Sequence, residues 1–132
     1  MSDIPEGLRY TPDHEWARLE PDGRVRVGIT DFAQEQLGDV VYLDLPSIDS
    51  TTQAAAPMGE IESTKSVSDL VAPVTGVVVE VNERAREDPV TVNQEPYGSG
   101  WLVILAPTDP AQFDALLTSG EYGALLSREA GE

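Results

Sequence analysis

Seven of the eight basic residues in this chain are arginine (Arg9, Arg18, Arg24, Arg26, Arg84, Arg86 and Arg128), and Lys65 is the only lysine. A guanidinium forms no simple amide and stays protonated, whereas an ε-amine can be acylated. Compositional bias toward arginine accounts for the scarcity of lysine. It leaves open why one position is lysine, so Lys65 is a candidate for covalent use. The residues around it run Glu62-Ser63-Thr64-Lys65-Ser66-Val67-Ser68-Asp69-Leu70-Val71-Ala72-Pro73-Val74-Thr75-Gly76. Small polar residues on both sides keep the amine accessible, with Glu62 three residues before it and Asp69 four after. Acylated in an exposed turn, such a lysine becomes a flexible arm on a rigid base, and the acidic flanks would orient a basic partner surface. The alternative is a solvated turn lysine in a weak ion pair with Glu62 or Asp69.

Other chemistries fail on residue type or spacing. The chain has no cysteine, which removes disulfides, thiolate metal sites and cysteine nucleophiles. His14 is the only histidine, and no Gly-x-Ser-x-Gly elbow accompanies it. His14-Glu15 does not extend to a zinc-protease pair, because position 18 is Arg18; His14 is expected to pack beside Trp16 in a structural role. Thr64, not glycine, precedes Lys65, so no phosphate loop is present. Gly98-Ser99-Gly100 begins a dinucleotide fingerprint that Val103 breaks. No carboxylates have calcium-loop spacing. No constellation of residues points to an independent catalyst.

The elements that must position Lys65 are mostly strands. Residues 16–19 lead through Pro21-Asp22-Gly23 to Val25, Val27 and Ile29, which alternate with Arg26 and Gly28: a β-hairpin. A short helix is expected next, capped by Thr30 or Asp31 and stopped by Gly38 after Leu37. Residues 40–45 read as a strand, 47–57 as a loop. Residues 59–63 and 67–71 pair as a second hairpin with Lys65 near its tip, although no Asn-Gly or Asp-Gly marks the turn. Residues 77–81 read as a strand, 82–94 as a loop and 101–105 as a central apolar strand. Asp109-Pro110 starts a helix carrying Phe113, Leu116 and Leu117, a second, shorter helix spans 121–128, and the last residues are expected to fray. The whole is one domain of 132 residues, a β-sandwich or barrel with a helical C-terminal cover. Its net charge of −16 opposes binding to nucleic acid or anionic membranes. No apolar run approaches a membrane span, and the N-terminus shows no signal peptide, so a cytoplasmic protein is expected.

At this point the sequence resembles a known family, the H protein of the glycine cleavage system, over nearly its whole length. Tyr10-Thr11-Pro12-Asp13-His14-Glu15-Trp16 is similar to the family's His-Glu-Trp motif. Val27-Gly28-Ile29-Thr30-Asp31-Phe32-Ala33-Gln34 with Leu37-Gly38-Asp39-Val40 resembles its second block, continued by Leu45-Pro46. The segment Glu62-Ser63-Thr64-Lys65 through Gly76 resembles the lipoylation block, including Ser66 and Asp69. Val92-Asn93-Gln94-Glu95-Pro96-Tyr97-Gly98-Ser99-Gly100-Trp101 resembles the closing block. The resemblance implies a barrel-sandwich hybrid of the lipoyl-domain kind, a core over about residues 8–106, a helical cover over about 109–128, and lipoate on Lys65. It implies a shuttle rather than a catalyst. The arm takes an aminomethyl group from a pyridoxal-phosphate glycine decarboxylase and yields it to a tetrahydrofolate-dependent aminomethyltransferase. A flavin dihydrolipoamide dehydrogenase then reoxidises it, and lipoylation enzymes install it. The cofactor would supply the redox sulfurs that a cysteine-free chain lacks. Relatives also suggest that the loaded arm rests against the protein. Glu15 and Asp69 are the candidates for neighbouring carboxylates by their place in the N-terminal and lipoylation motifs, the alternative being that each is an ordinary turn or surface acid.

Two departures stand out. Ala54-Ala55-Ala56-Pro57-Met58 replaces the glycine-containing approach to the hairpin, and Thr64 stands where valine is frequent. Residues 83–89 are unusually charged and read as a surface loop. A biotin carrier would place methionine on both sides of the lysine. A lipoyl domain of a 2-oxoacid dehydrogenase would lack the His-Glu-Trp and Pro-Tyr-Gly blocks. Lipoyl donation to other enzymes and an acidic interaction module with bare lysine remain as other readings.

Overall fold

Alternation of apolar and polar residues builds the first hairpin as expected. In this computed structural model, which describes residues 3–129, β2 (Glu15–Leu19) pairs antiparallel with β3 (Val25–Ile29), and β1 (Arg9–Tyr10) flanks β2. Gly23, at φ 88°, makes the connecting turn. Helix α1 (Asp31–Leu37) follows, with the Thr30 hydroxyl accepting from Ala33 N–H and Gly38 ending it. Then come β4 (Val40–Asp44), β5 (Thr51–Thr52), β6 (Pro57–Ser63), β7 (Val67–Val71) and β8 (Gly76–Val81). Helices α2 (Glu83–Glu87) and α3 (Val90–Gln94), strand β9 (Val103–Pro107), and helices α4 (Ala111–Asp114) and α5 (Ser119–Glu129) complete the chain.

The strands form two antiparallel sheets, one ordered β1-β2-β3-β9-β8-β5 and one ordered β4-β6-β7. The mostly β architecture expected from the sequence is thus present, as two sheets, with the helix after the first hairpin and a helical C-terminal segment. Ala17, Val27, Leu43, Ile61, Leu70, Val78 and Leu105 fill the main core. Each large apolar side chain buried there stabilises the fold by about 1.5–3 kcal/mol. A second cluster, Tyr10, Trp16 and Tyr122, lies on the other side of β2 and seats α5.

Several local expectations are corrected. Residues 82–94 form α2 and α3 rather than a loop, and the charged residues 83–89 lie mostly in α2. The Asn82 side chain caps α2 at Ala85 N–H and donates to the carbonyls of Ser99 and Trp101. With only Ala85 and Val92 buried, the two helices show no periodicity to read. Within 47–57, Thr51 and Thr52 pair with β8, and β6 begins at Pro57. The apolar strand begins at Val103, not Trp101, though it is central, between β3 and β8. The first C-terminal helix ends at Asp114, and Leu117 instead bridges Tyr10. The second, α5, is the longer of the two at 11 residues. The terminal residues expected to fray lie outside those described. Ala55 takes a left-handed φ of 69°, which normally favours glycine, and its N–H donates to Ala72 O.

Candidate functional site

The hairpin of β6 and β7 carries Lys65 in its turn, with Glu62 opposite Val67, Ile61 opposite Ser68 and Glu60 opposite Asp69. Ile61 and Leu70 are buried while residues 64–69 are exposed, so the apolar stem anchors a solvated tip. Ser63 shapes the turn in place of an Asn-Gly pair. Its hydroxyl accepts from Lys65 N–H at 3.2 Å and Ser66 N–H at 3.1 Å, and donates to Ser66 O. Thr64 N–H donates to Asp39 O at 3.0 Å, tying the tip to the end of α1.

Among the described residues Lys65 makes no ion pair, so the pairing with Glu62 or Asp69 is not formed. Its stem instead lies over Gly38. A Cβ on that glycine would sit 2.8 Å from Lys65 Cε, closer than side-chain carbons approach. Gly38 also holds φ 77° and ψ −157°, a conformation only glycine takes readily. The residue that stops α1 thereby supplies a smooth bed for the lysine. Asn93 fixes it in place: Asn93 donates to Gly38 O at 2.8 Å and to the Gln34 side chain, and accepts from Val40 N–H at 2.9 Å. Sequence inspection assigned Asn93 no such role.

Beside the tip opens a cleft of about 260 Å³. Ser66, Val67, Ser68 and Asp69 form one side; Ile29, Phe32, Ala33, Gln36 and Leu37 form another; and Asp13, His14 and Glu15 form a third. The structure therefore brings Glu15 and Asp69 to one cavity. They differ in setting. Asp69 is exposed, whereas Glu15 is 1% exposed between the two sheets. Thr11 Oγ1 lies 2.5 Å from Glu15 Oε1, and Val71 N–H donates to Oε2 at 3.1 Å. Burial outweighs these hydrogen bonds and pushes the Glu15 carboxyl up to about 8. His14 does not pack beside Trp16. Its Nδ1 is 2.8 Å from Tyr122 Oη, and its ring meets Phe32, while Trp16 points to the other face of β2 and donates to Pro96 O.

These residues can present an acylable amine and shelter a small cationic group beside acidic side chains. A separate cavity of about 240 Å³, lined by Ala54, Ala55, Pro73, Ala115 and Leu116 among others, is almost wholly apolar. Lys65 lines neither cavity; its neighbour Ser66 lines the first. Among the described residues no cluster of acidic or histidine side chains could hold a metal ion. No helix among them is long and apolar enough to cross a membrane.

A lysine in the exposed turn of a hairpin that belongs to the smaller of two antiparallel sheets is the arrangement expected of a carrier domain. Comparison with known proteins narrows this. The family model described as "Glycine cleavage H-protein" matches residues 8–129. The glycine cleavage system H protein of Myxococcus xanthus is 51% identical over 123 residues, covering 93% of this chain and 95% of its own. That of Halalkalibacterium halodurans is 45% identical, covering 98% of this chain and all of its own. A crystal structure of a glycine cleavage system H protein from Mycobacterium marinum superposes with a TM-score of 0.85 at 46% identity, over 98% of this chain and all of that one. The chain belongs to the glycine cleavage H-protein family.

Proposed function

We propose that Lys65 carries lipoate through an amide on its ε-amine and that the protein shuttles an aminomethyl group in glycine cleavage. The observation that supports this best is the sole lysine, exposed in a hairpin turn, in no ion pair among the described residues, and next in sequence to a cleft with a buried acid. The amine is exposed and so open to acylation, and its stem lies against Gly38, which has no side chain to crowd it. When bound, lipoate supplies the disulfide that accepts the aminomethyl group and is restored by reoxidation. Its partners are the pyridoxal-phosphate glycine decarboxylase, the tetrahydrofolate-dependent aminomethyltransferase, dihydrolipoamide dehydrogenase and the lipoylation enzymes, and the setting is the cytoplasm.

The chain's own residues hold and protect the cargo. Glu62, Ser63, Thr64 and Ser66 set the turn that a lipoylation enzyme reads, with Ser63 holding its backbone. Asp69 and Glu15 flank the seat for a cationic amine. Without the cargo, Glu15 keeps a proton at neutral pH because a bare carboxylate is costly in that setting. A cation arriving beside it reverses the preference, and Glu15 gives up the proton. Phe32, Leu37 and Ile61 give the cleft its apolar lining.

Intact-mass and peptide mass spectrometry on protein made with lipoate available tests the assignment. A lipoyl adduct confined to Lys65, absent from Lys65→Arg, is the expected result. Persistently bare Lys65 in cells with a working lipoylation pathway would overturn it, and a biotin adduct would point to the other carrier class.

A further inference from the structure

Tyr122 lies in the C-terminal helix, 108 residues from His14, and belongs to none of the motifs around the lysine. Its buried ring stacks on Tyr10 with centroids 4.7 Å apart and planes within 5°. Its hydroxyl reaches two partners, His14 Nδ1 at 2.8 Å and Thr30 Oγ1 at 2.7 Å. A phenol has one proton to donate and lone pairs to accept with, so both partners are served by one group.

These partners belong to different walls of the cleft. His14 leads into β2 directly before Glu15, and its backbone holds φ 73°, a region that side-chain-bearing residues rarely occupy. Thr30 caps α1, accepting from Ala33 N–H at 3.2 Å, and α1 presents Phe32, Ala33 and Leu37 to the cavity. Thr30 N–H also donates to His14 O at 3.0 Å. Helix α5 grips His14 a second time through Glu129 Oε1, 3.4 Å from Nε2. A left-handed residue persists only where its surroundings over-determine it. Here Thr11 and Thr30 hold the His14 backbone, and Tyr122 and Glu129 of α5 hold its ring.

We infer that Tyr122 is a positioning residue: its hydroxyl fixes the spacing between the wall bearing His14 and Glu15 and the wall formed by α1, and so sets how long a cationic amine carried on Lys65 survives against water. The inference rests on the reading of the cleft as the shelter for that amine. Tyr122 touches neither the lysine nor the cargo.

Tyr122→Phe keeps the stacked ring and removes only the hydroxyl. Tyr10→Phe is the matched control, because the Tyr10 hydroxyl donates to Pro5 O in the same aromatic cluster and is bonded to neither wall. Lipoylated proteins would be loaded by a glycine decarboxylase, freed of it, and followed by ammonia release. Y122F should shorten the lifetime about three- to tenfold, the worth of one internal hydrogen bond, while Y10F leaves it unchanged. Before any loading, amide exchange at Thr30 and Ala33 should quicken in Y122F and not in Y10F. Equal shortening in both variants would show a general loss of stability and overturn the inference. So would an unchanged lifetime in Y122F when Glu15→Gln shortens it. Unchanged lifetimes in both E15Q and Y122F would bring down the shelter reading itself.

Discussion

Replacing Glu15 by glutamine isolates the consequence of placing a carboxyl between two sheets. Burial moves that carboxyl from its ordinary value of 4.5 to about 8. In the unfolded chain it is solvated and titrates near the ordinary value. Between those two values the folded protein binds a proton that the unfolded chain has released, so each unit of rising pH weakens folding by about 1.4 kcal/mol. The stability belonging to the neutral carboxyl is fully present below about 4.5, declines as pH rises, and is gone above about 8. Across the interval the total is about 5 kcal/mol, comparable to the whole stability of a marginal domain. A glutamine amide has the shape of the neutral carboxyl. Its oxygen can accept from Val71 N–H or from the Thr11 hydroxyl, the two donors that meet the Glu15 carboxyl, but it does not titrate. Urea unfolding of wild type and E15Q from about pH 5 to about pH 9, taken as a difference, removes the contribution of the other carboxylates. The wild-type advantage should fall steadily up to about pH 8 and then level off. Parallel curves would refute the reasoning, because they would mean that Glu15 is ionised throughout and satisfied by its two hydrogen bonds.

Two further outcomes follow from polar groups that hold the lysine's platform. Asn93→Ala leaves Val40 N–H and Gly38 O without their partner. It should cost about 2–3 kcal/mol in thermal unfolding, and a loss under about 0.5 kcal/mol would deny Asn93 that role. Ser63→Ala removes the acceptor for Lys65 and Ser66 N–H in an exposed turn. Water replaces it at a cost of about 1 kcal/mol or less, while the lipoylation rate measured by mass spectrometry should drop severalfold. An unchanged rate would show that the modifying enzyme does not depend on the turn's shape.

What the sequence disclosed depended on how local the signal was. The β2–β3 hairpin and α1 were legible because alternation, Gly23, the Thr30 cap and the Gly38 stop all lie within a few residues of what they determine. Lys65 was legible by its uniqueness. Glu15 and Asp69 were singled out only through family resemblance, and nothing between Asp13 and Trp16 signals that Glu15 is buried, since burial depends on Val71 and the facing sheet. Gly38 was readable as a helix stop but not as the bed of the lysine, a role that consists of an absent side chain seen from another element. Helices α2 and α3 were missed because each buries a single residue.

The two halves of the site also differ in how far apart along the chain their parts lie. Strands β6 and β7 are joined by Thr64, Lys65 and Ser66 alone, so the turn closes at little entropic cost. The cleft's back wall requires Glu15 to meet Val71 across 56 residues and His14 to meet Tyr122 across 108. Contacts of such high order form late, and those to α5 wait until residues 119–129 have been made. The acceptor turn is therefore expected to take shape on a nascent chain before its shelter exists, so that acylation and protection of the cargo mature at different stages in the life of one molecule.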